Sequence, residues 1–355
     1  MFDVAVIGAG MAGLSCAQRL RQAGYSVAVV EKSRGAGGRV ATRRVQGTRA
    51  DHGARYLERQ GEAVQGLIDV LVDRQILKLW TDTVWEFQHG EMFSYPNSCY
   101  VAPAGMNAVG KYLAQDLEIW FGRRVQAIYA TDNQMWHLSL EVTDDNSELP
   151  QELIAKAVVV AIPAPQALMF LNSEIGLQSD FLDKLRSVDY DPCITVMAGY
   201  PAERESDLSN LNPQWKTVAF PNHSELAWIG LDSSKRLESV QPVFVVHSSA
   251  NFAEKYLESV DLPTVGQQLL DRTSEHLIPW LNQPEWLQVH RWRYAFCRNP
   301  LPVSCLPAAD TLPLVCAGDL CGENKIEAAL RSGLAAANWV NSQLQNLPLD
   351  SSLNW

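Results

Sequence analysis

Two periods alternate in the first thirty residues. Residues 3–7, DVAVI, are a short β-branched apolar run, and Val27–Val30 are a second. Between them Leu14, Ala17 and Leu20 recur at helical spacing, with Gly24 as a stop. The pattern predicts a βαβ unit with its helix over 11–23. Val64, Leu67, Ile68, Leu71 and Val72 predict an amphipathic helix within 60–80. Residues 84–101 read as a hairpin turning near His89-Gly90, and 103–117 opens another helix. Three strand-like runs follow, Arg124–Tyr129, Trp136–Val142 and Ala157–Ala161, with the polar stretch TDDNSELPQ between the last two. The run AKAVVVAIPAPQA (155–167) is a buried parallel strand ending in a proline turn. Beyond residue 171 the character changes. CITVMAGY, ELAWIGLD and PVFVVHSS predict an antiparallel sheet, and 264–278 a helix. Near the end a strand over Pro313–Ala317 stops at Gly318-Asp319, and a helix runs from about Ile326 through Ala336.

The first turn carries chemistry. Gly8-Ala9-Gly10-Met11-Ala12-Gly13 has the G-x-G-x-x-G spacing at a strand-to-helix junction. Gly8 permits the tight turn, Gly10 lets the backbone approach a pyrophosphate, and Gly13 lets helix and strand pack closely. The helix N-terminus offers free N–H groups and partial positive charge to phosphates. Glu31, ending the second strand, can accept hydrogen bonds from an adenosine ribose and disfavours a 2′-phosphate, so NADP does not suit this slot. The cofactor at this point is NAD or FAD.

Composition narrows the class. The 355 residues carry a formal net charge of −11, which argues against nucleic acid as the main partner. With 47% hydrophobic and 19% charged residues the chain is globular, and large enough for one large or two interleaved domains. Seven cysteines without a CxxC or zinc-like spacing predict reduced, mostly buried thiols, a cytoplasmic setting and no metal site. MFDVAVIGAGMAG has no basic region ahead of its apolar run, so no signal peptide is expected, and no apolar run is long enough to span a bilayer.

EKSRGAGGRVATRR (31–44) packs five cationic residues into this acidic chain. A plain NAD dehydrogenase needs no second glycine pair after the ribose-binding acid. Gly37-Gly38-Arg39 with Thr42, followed by ADHGARYLER (50–59), resembles the second dinucleotide signature of flavoproteins of the amine oxidase and renalase type. GAGMAGLSCAQRL, Gly105-Met106, HRWRYA (290–295) and GDLCGENKIEAALRSGLAAA extend the resemblance over nearly the whole chain, and HRWRYA is similar to the renalase-like branch in particular. Two positions depart from the family pattern: Gly35 where an arginine is usual, and Ala328 where glycine is common.

The resemblance implies an α/β chain with a Rossmann-type FAD-binding domain, an inserted β-meander and an interleaved antiparallel-sheet substrate domain, in p-hydroxybenzoate-hydroxylase-like topology. It implies an FAD-binding domain over 1–58, 103–170 and 301–345, and a substrate domain over 59–102 and 171–300. Non-covalent FAD would be held by Gly8, Gly10, Met11, Ala12, Gly13, Glu31, Lys32, Ser33, Gly38 and Arg39. His52, Gly53 and Ala54 would lie beside the flavin ring and Val125 near the adenine. Gly318 and Asp319 would hold the ribityl chain, and Ile326 and Ala328 would open a helix whose dipole faces the flavin O2/N1 edge. Arg39 would supply positive charge beside the pyrophosphate or flavin, whereas Arg44 reads as solvated surface charge. The implied partner is a small molecule, a dihydronicotinamide isomer for bacterial renalases, with hydride transfer to flavin N5 and electrons passed to oxygen.

If VHRWRYAF (289–296) is a strand, His290, Trp292 and Tyr294 share one face and Arg291 and Arg293 the other. An aromatic face could sandwich a flat substrate. Alternatively Trp292 and Tyr294 are core residues joining two domains, and a core role suits His290 better still. A dihydronicotinamide needs no proton taken from carbon, so the lack of an obvious general base is no objection. Amine oxidase, NADPH-dependent flavin monooxygenase, desaturase and non-catalytic FAD-binding protein are the other readings. No exposed amphipathic segment of the kind a desaturase uses is visible.

Overall fold

The computed structural model describes residues 1–143, 150–309, 311–323, 325–349 and 355. The chain opens with β1 (Phe2–Ile7), α1 (Met11–Gln22) and β2 (Val27–Glu31), then a small hairpin, β3 (Thr42–Val45) and β4 (Thr48–Asp51). Next come β5 (Leu57–Glu58), α2 (Glu62–Asp73), β6 (Lys78–Gln88), β7 (Glu91–Val101) and α3 (Asn107–Leu113). The middle holds β8 (Glu118–Phe121), β9 (Arg123–Ala130), β10 (Trp136–Val142), β11 (Glu152–Val160), α4 (Ala164–Ala167) and α5 (Ser179–Arg186). Then follow β12 (Tyr190–Gly199), α6 (Glu205–Ser209), β13 (Thr217–Ala219), β14 (Leu226–Leu231), β15 (Val243–Ser248), α7 (Ala250–Lys255) and α8 (Leu262–His276). The chain closes with β16 (Trp286–Cys297), β17 (Leu306–Pro307), β18 (Leu314–Cys316) and α9 (Lys325–Gln343).

Two large sheets organise these elements. One runs β17-β18-β11-β1-β2-β8, with β10 and β9 continuing from β11 as an antiparallel meander. Its centre is parallel: Val4 lies opposite Val27 on β2 and Ala157 on β11. Val4–Val6 and Val158–Val160 are fully buried, because helices and loops cover both faces. The other sheet runs β16-β12-β15-β14-β13-β6-β7-β5, mostly antiparallel. One face packs on α8 around Ile194, Val196, Phe244 and Val246. The opposite face, through Met197, Trp228, Val243 and Val245, shares a core with α1, α2 and α9 of the first sheet. The candidate site adjoins that shared layer.

Three differences from the sequence expectations have physical reasons. The helix expected over 60–80 ends at Asp73, where Gln75 takes φ +58°, and β6 begins at Lys78. Val70, Leu71 and Val72 before that junction and Ile76 and Leu77 after it keep an apolar pattern going across it, which hides the change of period. The hairpin β3–β4, TRRV and TRAD, has no apolar alternation to betray it. The helix expected from 103–117 ends at Leu113, and β8, only four residues long, is too short to show a period of its own. The polar stretch expected after β10 falls mostly on 144–149, outside the described residues.

The glycines of the first turn behave as close packing demands. A Cβ on Gly13 would sit 1.9 Å from the Gly8 carbonyl oxygen. On α9, a Cβ on Gly333 would sit 2.2 Å from the Ala12 carbonyl oxygen, so α1 and α9 touch backbone to backbone. A buried ion network ties the hairpin to the second sheet. Asp51 and Asp232 face Lys235 and Arg236, with Lys235 Nζ 2.8 Å from Asp232 and Arg236 Nη2 2.9 Å from Asp51. Both carboxylates and Lys235 are fully buried.

Candidate active site

The candidate dinucleotide cradle is built from three backbone segments. Gly8 turns at φ +103°, and Gly10 caps α1 without any side-chain hydrogen bond. Met11, Ala12 and Gly13 form the first turn of α1, whose N–H groups have no helical acceptor. A Cβ on Gly10 would meet nothing within 4 Å, so this side of the turn is open to a ligand. The second glycine loop lies against it: Gly37 N–H donates to the Ala9 carbonyl at 2.8 Å, and a Cβ on Gly38 would come within 3.2 Å of Gly10 Cα. Glu31 fixes the rim. Its carboxylate accepts from the Ala9 and Ser33 N–H groups, each at 2.8 Å. Lys32 is exposed and reaches Gln166, and the Ser33 carbonyl accepts from Gly122 N–H, which brings the start of β9, with buried Val125, beside β2. An open glycine turn at a helix N-terminus, with a carboxylate at the next strand end, fits the pyrophosphate and ribose of FAD.

Arg39, expected to bring positive charge beside the pyrophosphate or flavin, carries a counter-ion of its own. Its guanidinium forms a bidentate pair with Asp319, both contacts at 2.7 Å, and also donates to the Ala295 carbonyl at 3.1 Å. One side chain thus ties the glycine loop, β16 and the Gly318-Asp319 turn together. Gly318 takes φ +145° and donates its N–H to Ser332 on α9. Gly53 is small for a local reason: a Cβ there would lie 1.9 Å from the Arg39 carbonyl oxygen. Ala54 N–H donates to that same carbonyl at 2.9 Å. Ile326 and Ala328 lie in the first turn of α9. Between them Glu327, which the sequence reading left unassigned, accepts from the Ala63 and Val64 N–H groups and so caps α2.

The second sheet presents a row of side chains to this region. His290 on β16 lies opposite Thr195 on β12, which lies opposite His247 on β15, which lies opposite Trp228 on β14. Directly opposed residues share a face. Cys193 and Trp292 form the next row on that face. The segment after β4 packs on it. His52 stacks on Trp292 with centroids 5.4 Å apart and planes at 19°, and meets His290 edge-on at 4.8 Å. The Trp292 indole N–H donates to the His52 carbonyl at 2.8 Å. Burial first, then the neighbouring His290, pushes the His52 pKa down to about 3, and burial pushes His290 to about 4. Both rings are therefore neutral at physiological pH.

Tyr294 leaves this group. The register steps two residues along β12, Asp191 to Cys193, and four along β16, Phe296 to Trp292. The strict alternation assumed from sequence breaks at that bulge, and the Tyr294 ring meets Tyr190 instead, at 5.7 Å. The arginine face is structural: Arg293 pairs with Glu258, and Arg291 donates to the Leu257 and Ser259 carbonyls. All seven cysteines are free thiols. No helix among the described residues is long and apolar enough to cross a membrane.

Comparison with known proteins agrees with this architecture. An NAD(P)-binding Rossmann-like domain matches residues 6–71. A putrescine oxidase, solved bound to putrescine, superposes with a TM-score of 0.69 at 16% identity, covering 95% of this chain and 98% of that one. Cyclohexylamine oxidase from Brevibacterium oxydans IH-35A gives a TM-score of 0.68 at 12% identity, covering 97% and 99%. At such identity these likenesses speak for the fold. The description "Flavin containing amine oxidoreductase" matches residues 76–341, most of the chain, so this protein belongs to the flavin-containing amine oxidoreductases and is an FAD-dependent enzyme.

Proposed function

We propose that this enzyme is a renalase-like oxidase that oxidises a small, flat, reduced heterocycle of the dihydronicotinamide type and passes the electrons to oxygen. The observation that carries this reading is the uncharged ring wall of His52, Trp292 and His290, which adjoins Gly53-Ala54 on the glycine-loop side. A planar substrate gains stacking area against such a wall, and neutral imidazoles add no charge to it. Bound FAD would supply a two-electron acceptor. The chain's own part is to hold the dinucleotide, orient the ring and exclude water. In this reading Gly8–Gly13, Gly38 and the α1 N-terminus hold the pyrophosphate, and Glu31 to Ser33 the adenosine ribose, with Val125 beside the adenine. Arg39, as a paired clamp, positions Asp319 and Gly318 for the ribityl chain, and the Ile326–Ala328 turn of α9 faces the flavin. The strands of 78–101 and 190–297, joined in one sheet, support a substrate domain over 59–102 and 171–300 in p-hydroxybenzoate-hydroxylase-like topology.

Amine oxidation is the second reading, favoured by the family and by neighbours whose names are putrescine oxidase and cyclohexylamine oxidase. Anaerobic stopped-flow mixing separates the two. The oxidised holoenzyme is mixed with dihydronicotinamide isomers, putrescine or cyclohexylamine while the flavin absorption is followed. Bleaching by a dihydropyridine is expected. Bleaching by amines alone would replace this reading with the second, and bleaching by neither would remove both.

A further inference from the structure

Arg55 is a cation with no counter-ion among the described residues. It lies on the segment after β4, two residues beyond Gly53, and its side chain packs into the face of the second sheet. Its guanidinium stands 5.1 Å over the Trp228 ring, and its Nε–H donates to His247 Nδ1 at 3.2 Å. Lys235, from the buried ion network, holds the Arg55 carbonyl at 2.8 Å and so fixes the backbone. The two terminal amino groups have no acceptor among the described residues, and no carboxylate lies within ion-pair distance. Glu58, a carboxylate whose charge acts on it from beyond ion-pair distance, is engaged by the Asn97 amide. Arg55 is partly exposed, so its free donors are not sealed in protein.

The neighbours add to the imbalance. Because His247 Nδ1 accepts from Arg55, its proton sits on Nε2, a buried atom with no partner. His52 Nδ1 is likewise buried and unpartnered. The Lys325 ammonium, over the Phe296 ring at 4.8 Å, is held below its ordinary pKa by burial and by repulsion from Arg55. Burial of an uncompensated guanidinium is unfavourable. Here four N–H donors in a planar fork, backed by an aromatic face and an imidazole, meet no acceptor among the described residues.

We propose that Arg55 is the specificity residue of the substrate site, and that its free fork receives an anionic oxygen group, carboxylate or phosphate, on a flat-ring substrate whose ring lies on the His52–Trp292 wall. The inference rests on the reading of that wall as the substrate surface, and it adds the charge of the ligand. A guanidinium fork matches a carboxylate or phosphate bidentately and repels an ammonium.

Equilibrium titration of the oxidised holoenzyme tests this without turnover, so it stands or falls separately from the bleaching experiment. Benzoate, phenyl phosphate, benzamide and benzylamine are titrated while the flavin band is followed. In the wild-type protein an anion is expected to bind at least tenfold more tightly than benzamide, with benzylamine weakest. A stronger response to benzoate identifies a carboxylate, and to phenyl phosphate a phosphate ester. Arg55→Gln is expected to weaken the preferred anion at least tenfold, and Arg55→Lys, which keeps the charge and loses the fork, to fall between. The wild-type ranking needs no variant, so a poorly folding substitution cannot hide the answer. Equal affinity for the anions and benzamide overturns the proposal. So does an R55Q protein that binds the anion normally while its affinity for sulfite at the flavin falls, since Arg55 would then serve the cofactor.

Discussion

Single residues carry their meaning through their surroundings. Histidine has an unperturbed pKa of about 6.5, yet His52 and His290 are held near 3 and 4 because ring packing strips their water. Neither should appear as an ionisation in the pH profile of kcat/KM between pH 5 and 8. Their linkage to stability has a definite sign. The folded pKa values are depressed, so their contribution is complete above about pH 6.5 and is lost as pH falls from there through about 4 and 3. Denaturant titrations at pH 7 and pH 5 should show lower stability at pH 5, and His290→Asn should shrink that difference. Asp51 works the other way from a surface carboxylate. Its burial is outweighed by Lys235 and Arg236, which with Thr42 and Met106 hold its pKa below the usual range. Asp51→Asn leaves two buried cations sharing one carboxylate and should cost about 3–5 kcal/mol in urea unfolding. Asp51, His52 and Arg55 all lie in DHGARYL, a run that pointed to the cofactor loop. The sequence could not say that Asp51 neutralises Lys235, or that Arg55 meets no carboxylate among the described residues, because both depend on residues some 180 positions away.

At the scale of elements, pattern located most helices and strands and packing set their ends. Gly13 could be read from its motif, since the G-x-G-x-x-G turn is local. Gly333 could not, since its role arises only where α9 crosses α1. Replacing Gly333 with Ala puts a methyl against the Ala12 backbone, which has no flexible side chain to give way. Overpacking of this kind costs about 1–3 kcal/mol, and the displaced α1 should also retain less FAD, read from the flavin-to-protein absorbance ratio after gel filtration. Glu327 likewise owes its role to another element. It caps α2 across the chain, where Gly61 turns at φ +113° and a Cβ would collide with the Glu327 side chain. Glu327→Ala should cost about 1 kcal/mol, the worth of an N-cap, seen as a lower melting temperature with FAD bound. The bulge in β16 is an element-scale feature without a local signal. Residues 293–295, RYA, read as continuous alternation, and only pairing with β12 removes Tyr294 from the aromatic wall.

For the whole molecule, the two sheets share one core and a buried ion network ties the β3–β4 hairpin to the second sheet, so the two sheets should unfold together. Flavin fluorescence and far-ultraviolet circular dichroism should then report a single coincident transition in denaturant. A separate early loss of the second sheet would contradict that. The sequence by itself determined the Rossmann-like βαβ unit, a dinucleotide cofactor, with FAD following from the family resemblance, and the mixed α/β architecture. These rest on short-range rules: glycine spacing at a turn, a carboxylate at a strand end, and periods of two and 3.6. The tertiary structure decided which charges are paired and which are free. It neutralised Arg39 with Asp319, cancelled four charges around Asp51, silenced His52 and His290, and left Arg55, over Trp228, with no carboxylate partner among the described residues. Charge compensation and desolvation depend on which distant segments come within a few ångströms, and only the folded chain sets those distances.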